Sequence, residues 1–279
     1  MRSNETPYLL LAPLILYILF FFLSPFGSAI KLAFFNDSGS FTLKYFSETL
    51  KDIRFYAALK YTVLFALTII PLQLVTAFFV ALFITKSGNS WLMFVASIPL
   101  AISDLAAGLI FLAIFSESGF LNSFLYTLGI IDKPFYFLSF QNTWLLFLTV
   151  VIAEHWRATS IVLLILVAGL QMIEKDFNDA ASIFGANFFK KTYFVTLPLL
   201  KPSIQSALII RTIFAFQMFA VVLALAGDMI PVLSGEAYFW YSLYRNPHIA
   251  SVYALIIIFI SILFTLIYLR LLRHREVLR

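Results

Sequence analysis

Five polar side chains interrupt long apolar stretches of this sequence, and they are the first candidates for chemistry. They are Asp104, Glu154, Arg157, Arg211 and Gln217. An ionisable group inside a bilayer is costly unless it is paired or hydrated, so such residues mark functional positions by default. We expect Asp104, Arg211 and Gln217 to lie along a pathway for a polar solute.

The charged residues among these five also predict pairs. Glu154 and Arg157 are three residues apart, which places them on one helix face, so we expect them to pair with each other. Asp104 has two open alternatives: a pair with Arg211 of another helix, or a place beside a hydrated cavity.

The sequence lacks the usual patterns of catalytic and metal sites. It has no cysteine, and its three histidines (His155, His248 and His274) are far apart and form no HExxH pattern. It has no GxxxxGK[ST] loop for ATP. We therefore predict no catalytic residue, no metal site, no cofactor, and no ATP hydrolysis by the chain itself.

The composition indicates a polytopic membrane protein. Of 279 residues, 62% are hydrophobic and 12% are charged, whereas soluble domains are about 45–50% apolar and about 25% charged. The net charge of +5 does not indicate nucleic-acid binding, because the basic residues gather at the ends of apolar stretches. That distribution is typical of residues that orient membrane helices.

The apolar stretches predict six membrane-spanning helices, since each crossing needs about 20 residues. The first run, from Tyr8 to Leu23, is longer than a signal-peptide core and is expected to be a retained helix. The polar sequence over 35–60 predicts a short helix at the membrane interface. The predicted spans are 8–34, 58–84, 91–115, 142–169, 203–226 and 249–272.

The basic residues predict that both termini lie in the cytoplasm of a cell membrane. Ten lie on the side of the termini and seven on the other, which is a modest bias of the kind that marks the cytoplasmic side. The ten are Arg2, Lys86, Lys175, Lys190, Lys191, Lys201, Arg270, Arg273, Arg275 and Arg279. On charge alone, the inverted orientation stays open.

The polar segment, residues 173–198, separates the fourth and fifth predicted spans. Its apolar residues repeat at helical spacing, which predicts a helix with one apolar face. The face would rest on the membrane surface, on the protein's own spans, or in a partner's groove. A groove is favoured, because the helix starts with acids and has no basic residue over 176–189. The repeat consists of Ile173, Phe177, Ala180, Ala181, Phe184 and Phe188.

Glycine and proline residues predict where this helix ends. Gly185 can end it by taking a positive φ. Leu197-Pro198 and Lys201-Pro202 are then expected to break the chain before the fifth span begins. The resulting shape would be an L-shaped arm.

The polar segment resembles the EAA signature of ATP-binding-cassette (ABC) importer permeases, E-A-A-x3-G-x9-I-x-L-P. The matching residues are Asp179-Ala180-Ala181, Gly185 and Val195-Thr196-Leu197-Pro198. Asp179 replaces the usual glutamate, and Phe184 stands where the carbohydrate-uptake branch of the family usually has aspartate. The second change would enlarge the apolar docking surface.

Stretches near the start, around the third span and through the polar segment also resemble that branch, of the maltose or glycerol-3-phosphate permease type. The resemblance implies an all-α, type I ABC importer permease fold with a cytoplasmic coupling helix between spans 4 and 5. The expected divisions are an N-terminal helix and outer loop (1–57), a permease domain (58–272) and a cytoplasmic tail (273–279).

The resemblance further implies a non-catalytic subunit that forms the path for a sugar or related carbohydrate. The implied partners are a second permease, distinct from this one, two cytoplasmic ATPases, and an extracytoplasmic substrate-binding protein. The alternatives are a permease for glycerol-3-phosphate or another solute, a proton-coupled secondary transporter, and a membrane-embedded enzyme. The residues implied in ATPase coupling are Phe177, Asp179, Ala180, Ala181, Phe184, Gly185, Leu197 and Pro198.

Overall fold

A computed structural model describes residues 6–271, and over that range the protein is built of helices. The α-helices are α1 (Thr6–Ile18), α2 (Ser24–Phe34), α3 (Lys44–Lys51), α4 (Ile53–Ser87), α5 (Ser90–Ser97), α6 (Asp104–Phe115), α7 (Phe120–Thr127), α8 (Thr143–Gln171), α9 (Lys175–Ile183), α10 (Phe188–Lys191), α11 (Leu197–Phe216), α12 (Ala220–Ala226), α13 (Leu233–Ser242) and α14 (Pro247–Leu271). The predicted tail over 273–279 and the basic residues Arg2, Arg273, Arg275 and Arg279 lie outside the described residues.

Within residues 6–271, six helical stretches are long and apolar enough to cross a membrane. They are Leu10–Phe34, Ile53–Ser87, Asp104–Thr127, Phe140–Gln171, Phe188–Phe216 and Pro247–Leu271. The predicted number of spans is therefore confirmed. Residue contacts group the chain into two compact units, and the division at residue 57 remains a prediction.

One unit comprises residues 6–56 and Leu233–Phe259. The helix predicted in the polar loop is present as α3. In this unit a buried Glu236 accepts from Arg54 Nε at 2.6 Å. His248, near the start of α14, lies 2.8 Å from the Leu32 carbonyl oxygen through Nδ1 and 3.1 Å from Asp37 through Nε2. These contacts tie the loop after α2 to the last membrane helix.

The other unit comprises Ala57–Val232 and residues 260–271. Buried hydrophobic side chains of α4, α6, α8 and α12 form one cluster, which includes Phe65, Phe147 and Val221. A second cluster joins α4, α8 and α11 around Ala77, Leu166 and Leu200. Where α8 and α11 meet, a Cβ added to Gly169 would lie 2.6 Å from Ser203 Cβ. Glycine at position 169 therefore leaves the space that the Ser203 and Leu200 side chains of α11 occupy.

The third span was predicted as one helix over 91–115, and the structure divides this range. α5 ends at Ser97, a 3₁₀ turn covers Ile98–Ala101, and a new helix begins at Asp104. The physical reason is local, because Pro99 lacks an N–H and Ser103 caps the new helix by accepting from Ala106 N at 3.2 Å. The membrane-length stretch is therefore shifted to Asp104–Thr127.

The fifth span also differs from its prediction, because the prolines do not break the chain. The helix runs from Phe188 to Phe216, with a π-helical turn over Thr192–Thr196 just before Pro198. The wider π turn accommodates a proline ring and its missing donor, which would disrupt an ordinary helix interior. The helix instead stops at Phe216, and α12 resumes at Ala220.

Candidate functional site

Glu154 is the centre of a charge cluster inside the membrane bundle. Its Oε1 atom accepts from Nη2 of Arg157 at 3.0 Å and from Nη2 of Arg211 at 3.0 Å. The predicted pair between Glu154 and Arg157 is therefore present. α8 supplies Glu154 and Arg157 one helical turn apart, and α11 supplies Arg211 from the other side.

Arg211 is 1% exposed and has a second polar partner in α4. Its Nε donates to Gln73 Oε1 at 2.8 Å, and Gln73 Nε2 donates to the backbone oxygen of Glu154 at 3.0 Å. Gln73 is completely buried, and sequence analysis missed it. The signal that singled out Gln217, an amide within an apolar run, applies equally to Gln73.

Asp104 completes the cluster from the first turn of α6. Its Oδ1 atom lies 2.8 Å from Nη1 of Arg157, and its side chain is half exposed. The alternative pair between Asp104 and Arg211 is not formed, because within residues 6–271 the salt bridge of Arg211 is to Glu154. The short helix start at Asp104 places its carboxylate beside α8 instead of α11.

The cluster is electrically balanced. Its two guanidinium groups face two carboxylates, and a buried ion is tolerated only when it is compensated in this way. Gln217 lies outside this hydrogen-bonded set, exposed at the end of α11 in the gap before α12. Roles for Asp104, Arg211 and Gln217 in a solute pathway remain predictions.

The polar segment forms a second candidate site. Helix α9 ends in a Schellman turn in which Gly185 has φ +71°. Ala186 N donates to Ala181 O at 3.0 Å, and Gly185 N donates to Ser182 O at 2.9 Å. Asn187 then caps the next helix by accepting from Lys190 N at 3.0 Å. The predicted helix end at Gly185 is confirmed.

The apolar side chains at the tip of α9 point away from the rest of the protein. Ile183 is 85% exposed and Phe184 is 90% exposed, and Phe177 is half exposed. Inward, Ile173 and Ala181 are half buried, and Lys191 Nζ donates to Ser182 Oγ at 2.5 Å. Of the three predicted supports, the protein's own spans therefore do not cover Phe184. The exposed Ile183 was missed, because it does not fall in the predicted repeat.

The remaining residues of the EAA-like pattern lie on both sides of the bend. Asp179 and Ala180 are exposed on α9, whereas Leu197 and Pro198 are half buried at the start of α11. The bend thus joins an exposed helix to a packed one. This arrangement suits a segment that contacts a partner while remaining anchored in the bundle.

Most of the chain matches a known protein family. Residues 73–276 match the family described as "Binding-protein-dependent transport system inner membrane component". The chain belongs to this family. It is therefore a multi-pass membrane permease of an ABC importer, a transport subunit whose matched region includes both the charge cluster and the polar segment.

Similar proteins agree with this assignment. The trehalose/maltose transport system permease protein MalF of Thermococcus litoralis is 28% identical over 99% of this chain and 96% of its own length. The arabinooligosaccharides transport system permease protein AraP of Bacillus subtilis is 35% identical over 78% of this chain and 71% of its own length.

A solved structure shows the same fold. It is the crystal structure of a bacterial ABC transporter involved in the import of the acidic polysaccharide alginate, which matches with a TM-score of 0.83 at 19% identity. The match covers 98% of this chain and 96% of the other. The all-α permease fold predicted from the sequence is confirmed.

Proposed function

We propose that this permease lines the import path for an uncharged saccharide and is driven by separate ATPase subunits that bind α9. The observation that carries the proposal is the exposed apolar tip of α9, held at a fixed bend within a chain of this family. The names of its relatives, which import trehalose, maltose and arabinooligosaccharides, support a saccharide as cargo.

The charge cluster supports an uncharged cargo over an anionic one. A site for glycerol-3-phosphate or a similar anion would need a cation available to the solute. Here each guanidinium of the cluster already faces a carboxylate, and Arg211 is buried. Of the three predicted pathway residues, Asp104 and Gln217 are the exposed ones, and they offer the polar atoms that sugar hydroxyls require.

The cluster also argues against the proton-coupled alternative. Such a transporter needs a carboxylate inside the membrane that gains and loses a proton. Glu154 instead serves as the counter-charge of two guanidinium groups, those of Arg157 and Arg211. The family match supports ATP hydrolysis by a partner as the drive instead.

In this proposal α9 is the coupling helix. Phe177, Ala180, Ala181 and Phe184 would enter a groove on a cytoplasmic ATPase, and Asp179 would meet the polar edge of that groove. Gly185 fixes the bend, and Leu197 and Pro198 join the helix to the fifth span. Closure of two ATPases would then move spans 4 and 5 and switch the access of the path.

The proposal includes the remaining partners and the orientation. A second, distinct permease would complete the path, and an extracytoplasmic binding protein would deliver the saccharide. Both termini and α9 would lie in the cytoplasm. The modest excess of basic residues on that side supports this orientation.

Substitution Gly185→Glu tests the coupling role. A side chain at φ +71° costs about 1–2 kcal/mol in the left-handed region, so the bend and the position of α9 change. We expect normal membrane insertion with loss of binding-protein-stimulated ATPase activity. Gly129→Glu is the control, because Gly129 has φ +68° and open surroundings in another loop. Normal stimulation in Gly185→Glu would refute the assignment of α9.

A further inference from the structure

A pocket of about 360 Å³ lies behind α9, where it faces the inner ends of α4 and α8 and the start of the fifth span. It is distinct from the exposed tip that we assign to the ATPase. The apolar residues that line the pocket are Leu82, Leu170, Ile173 and Phe188. The polar residues that line it are Lys86, Lys191, Asn178, Thr85, Thr192 and Thr196.

The chemistry of this lining selects an anion with an apolar body. Two ammonium groups and three hydroxyls supply donors, and no carboxylate lines the pocket. A free sugar would leave the apolar lining residues uncovered, and a hydrocarbon would leave the lysines without a counter-charge. A phosphate attached to an acyl chain satisfies both the polar and the apolar lining residues.

The position of Lys86 places the pocket at the level of lipid headgroups. Phe79 and Phe83, within the two preceding turns of α4, are 61% and 63% exposed, as expected of side chains that face hydrocarbon. Lys86 then follows in the last turn of the helix. A lysine directly after a lipid-facing stretch lies where its ammonium meets phosphate groups.

The fifth span repeats this pattern on the other wall of the pocket. Lys191 and Thr192 line the pocket, while their neighbours Tyr193 and Phe194 are 66% and 70% exposed. Exposed aromatic residues beside lysines are typical of the boundary between hydrocarbon and water. Both walls therefore reach the same layer of the membrane.

We propose that this pocket binds an anionic phospholipid, with its phosphate between Lys86 and Lys191 and the first part of an acyl chain against Leu82 and Leu170. The lipid would connect α9 to spans 2 and 4, because Asn178 of α9 lines the pocket and Lys191 also donates to Ser182 of α9. Its effect on coupling rests on the proposed function, whereas its binding does not.

The test measures lipid retained by the full chain. The protein is reconstituted in bilayers of equal phosphatidylglycerol and phosphatidylcholine, extracted, and examined by native mass spectrometry. We expect retained phosphatidylglycerol and no retained phosphatidylcholine. The double substitution Lys86→Gln and Lys191→Gln should lower retention by about tenfold, since each basic residue near a membrane surface contributes to anionic-lipid binding.

Lys190→Gln is the matched control, because Lys190 is adjacent in sequence, equally charged and absent from the pocket lining. It should retain phosphatidylglycerol as the unaltered protein does. Equal retention by the double variant, or equal loss in the control, would overturn the proposal. Displacement of the lipid by excess inorganic phosphate would also overturn it, because the site would then be one for free anions.

A second measurement separates this proposal from the coupling role of α9. In the assembled importer, phosphatidylglycerol should raise ATPase stimulation in the unaltered protein and not in the double variant. If Gly185→Glu behaves normally while lipid retention still depends on the two lysines, the coupling assignment fails and the lipid site stands. If retention is independent of the lysines, the lipid site fails alone.

Discussion

Glu154 accepts hydrogen bonds from two arginines on different helices. Because both arginines share this carboxylate, its removal should lower the free energy of unfolding substantially. Glu154→Gln would leave Arg211 buried without its counter-charge. We expect a loss of about 3–5 kcal/mol in the free energy of unfolding, as for other broken buried pairs. Asp104→Asn removes a half-exposed partner and should cost about 1 kcal/mol or less. Denaturant unfolding in detergent measures both, and similar losses for the two variants would contradict this account.

Gln73 and Gln217 allow a comparison of one substitution at two burial levels. Gln73→Leu would remove the acceptor of Arg211 Nε and the donor to the Glu154 backbone oxygen. A buried polar group left unsatisfied costs about 1–3 kcal/mol. Gln217→Leu, at an exposed position, should change the free energy of unfolding by about 0.5 kcal/mol or less. Equal effects would show that Gln73 is not part of the cluster.

At the residue scale, the sequence predicted contacts between residues of the same helix. Glu154 and Arg157 share one helix, so their spacing was sufficient to pair them. The partner of Asp104 depends on which helix faces it, and no spacing within one span contains that information. Gln73 is tied to residues in α8 and α11, so its role emerges only when three helices are packed.

At the scale of elements, α8 and α11 pack closely at Gly169, which leaves no room for a larger side chain. Gly169→Ala would drive a Cβ into Ser203, and overpacking of this kind costs about 1–3 kcal/mol. Gly27→Ala is the control, because Gly27 is helical with open surroundings and alanine favours helix by up to about 1 kcal/mol. Thermal unfolding should separate the two variants, and a stabilised Gly169→Ala would contradict the packing described.

Proline accounts for two of the differences between the predicted and observed elements. Pro99 was expected to lie within one continuous span and instead marks the end of a helix, where Ser103 caps the next. Pro198 and Pro202 were expected to break the chain and instead lie in a continuous helix. A proline removes one donor at a known position, but whether a π turn compensates depends on the backbone around it.

At the scale of the whole molecule, the number of spans followed from hydropathy alone, because each crossing requires a long apolar helix. The membrane orientation can be tested by labelling single-cysteine variants. Because the sequence has no cysteine, an introduced cysteine is the one thiol of the variant. Ile183→Cys and Ile130→Cys lie at positions that are 85% and 63% exposed, on predicted opposite sides. In cells that express the permease without its ATPase subunits, a membrane-impermeant maleimide should label Ile130→Cys and leave Ile183→Cys unlabelled until the cells are opened. The reverse pattern would invert the proposed topology.

The Schellman turn at Gly185 is closed by hydrogen bonds between main-chain atoms, and only the glycine itself is required at that point. The angle of the arm is therefore specified separately from the side chains that the arm presents. Under the proposed coupling role, residues such as Ile183 and Phe184 could diverge to match a different ATPase without altering the angle of the arm. If α9 docks on an ATPase as proposed, the choice of partner and the geometry of the contact would be free to evolve independently.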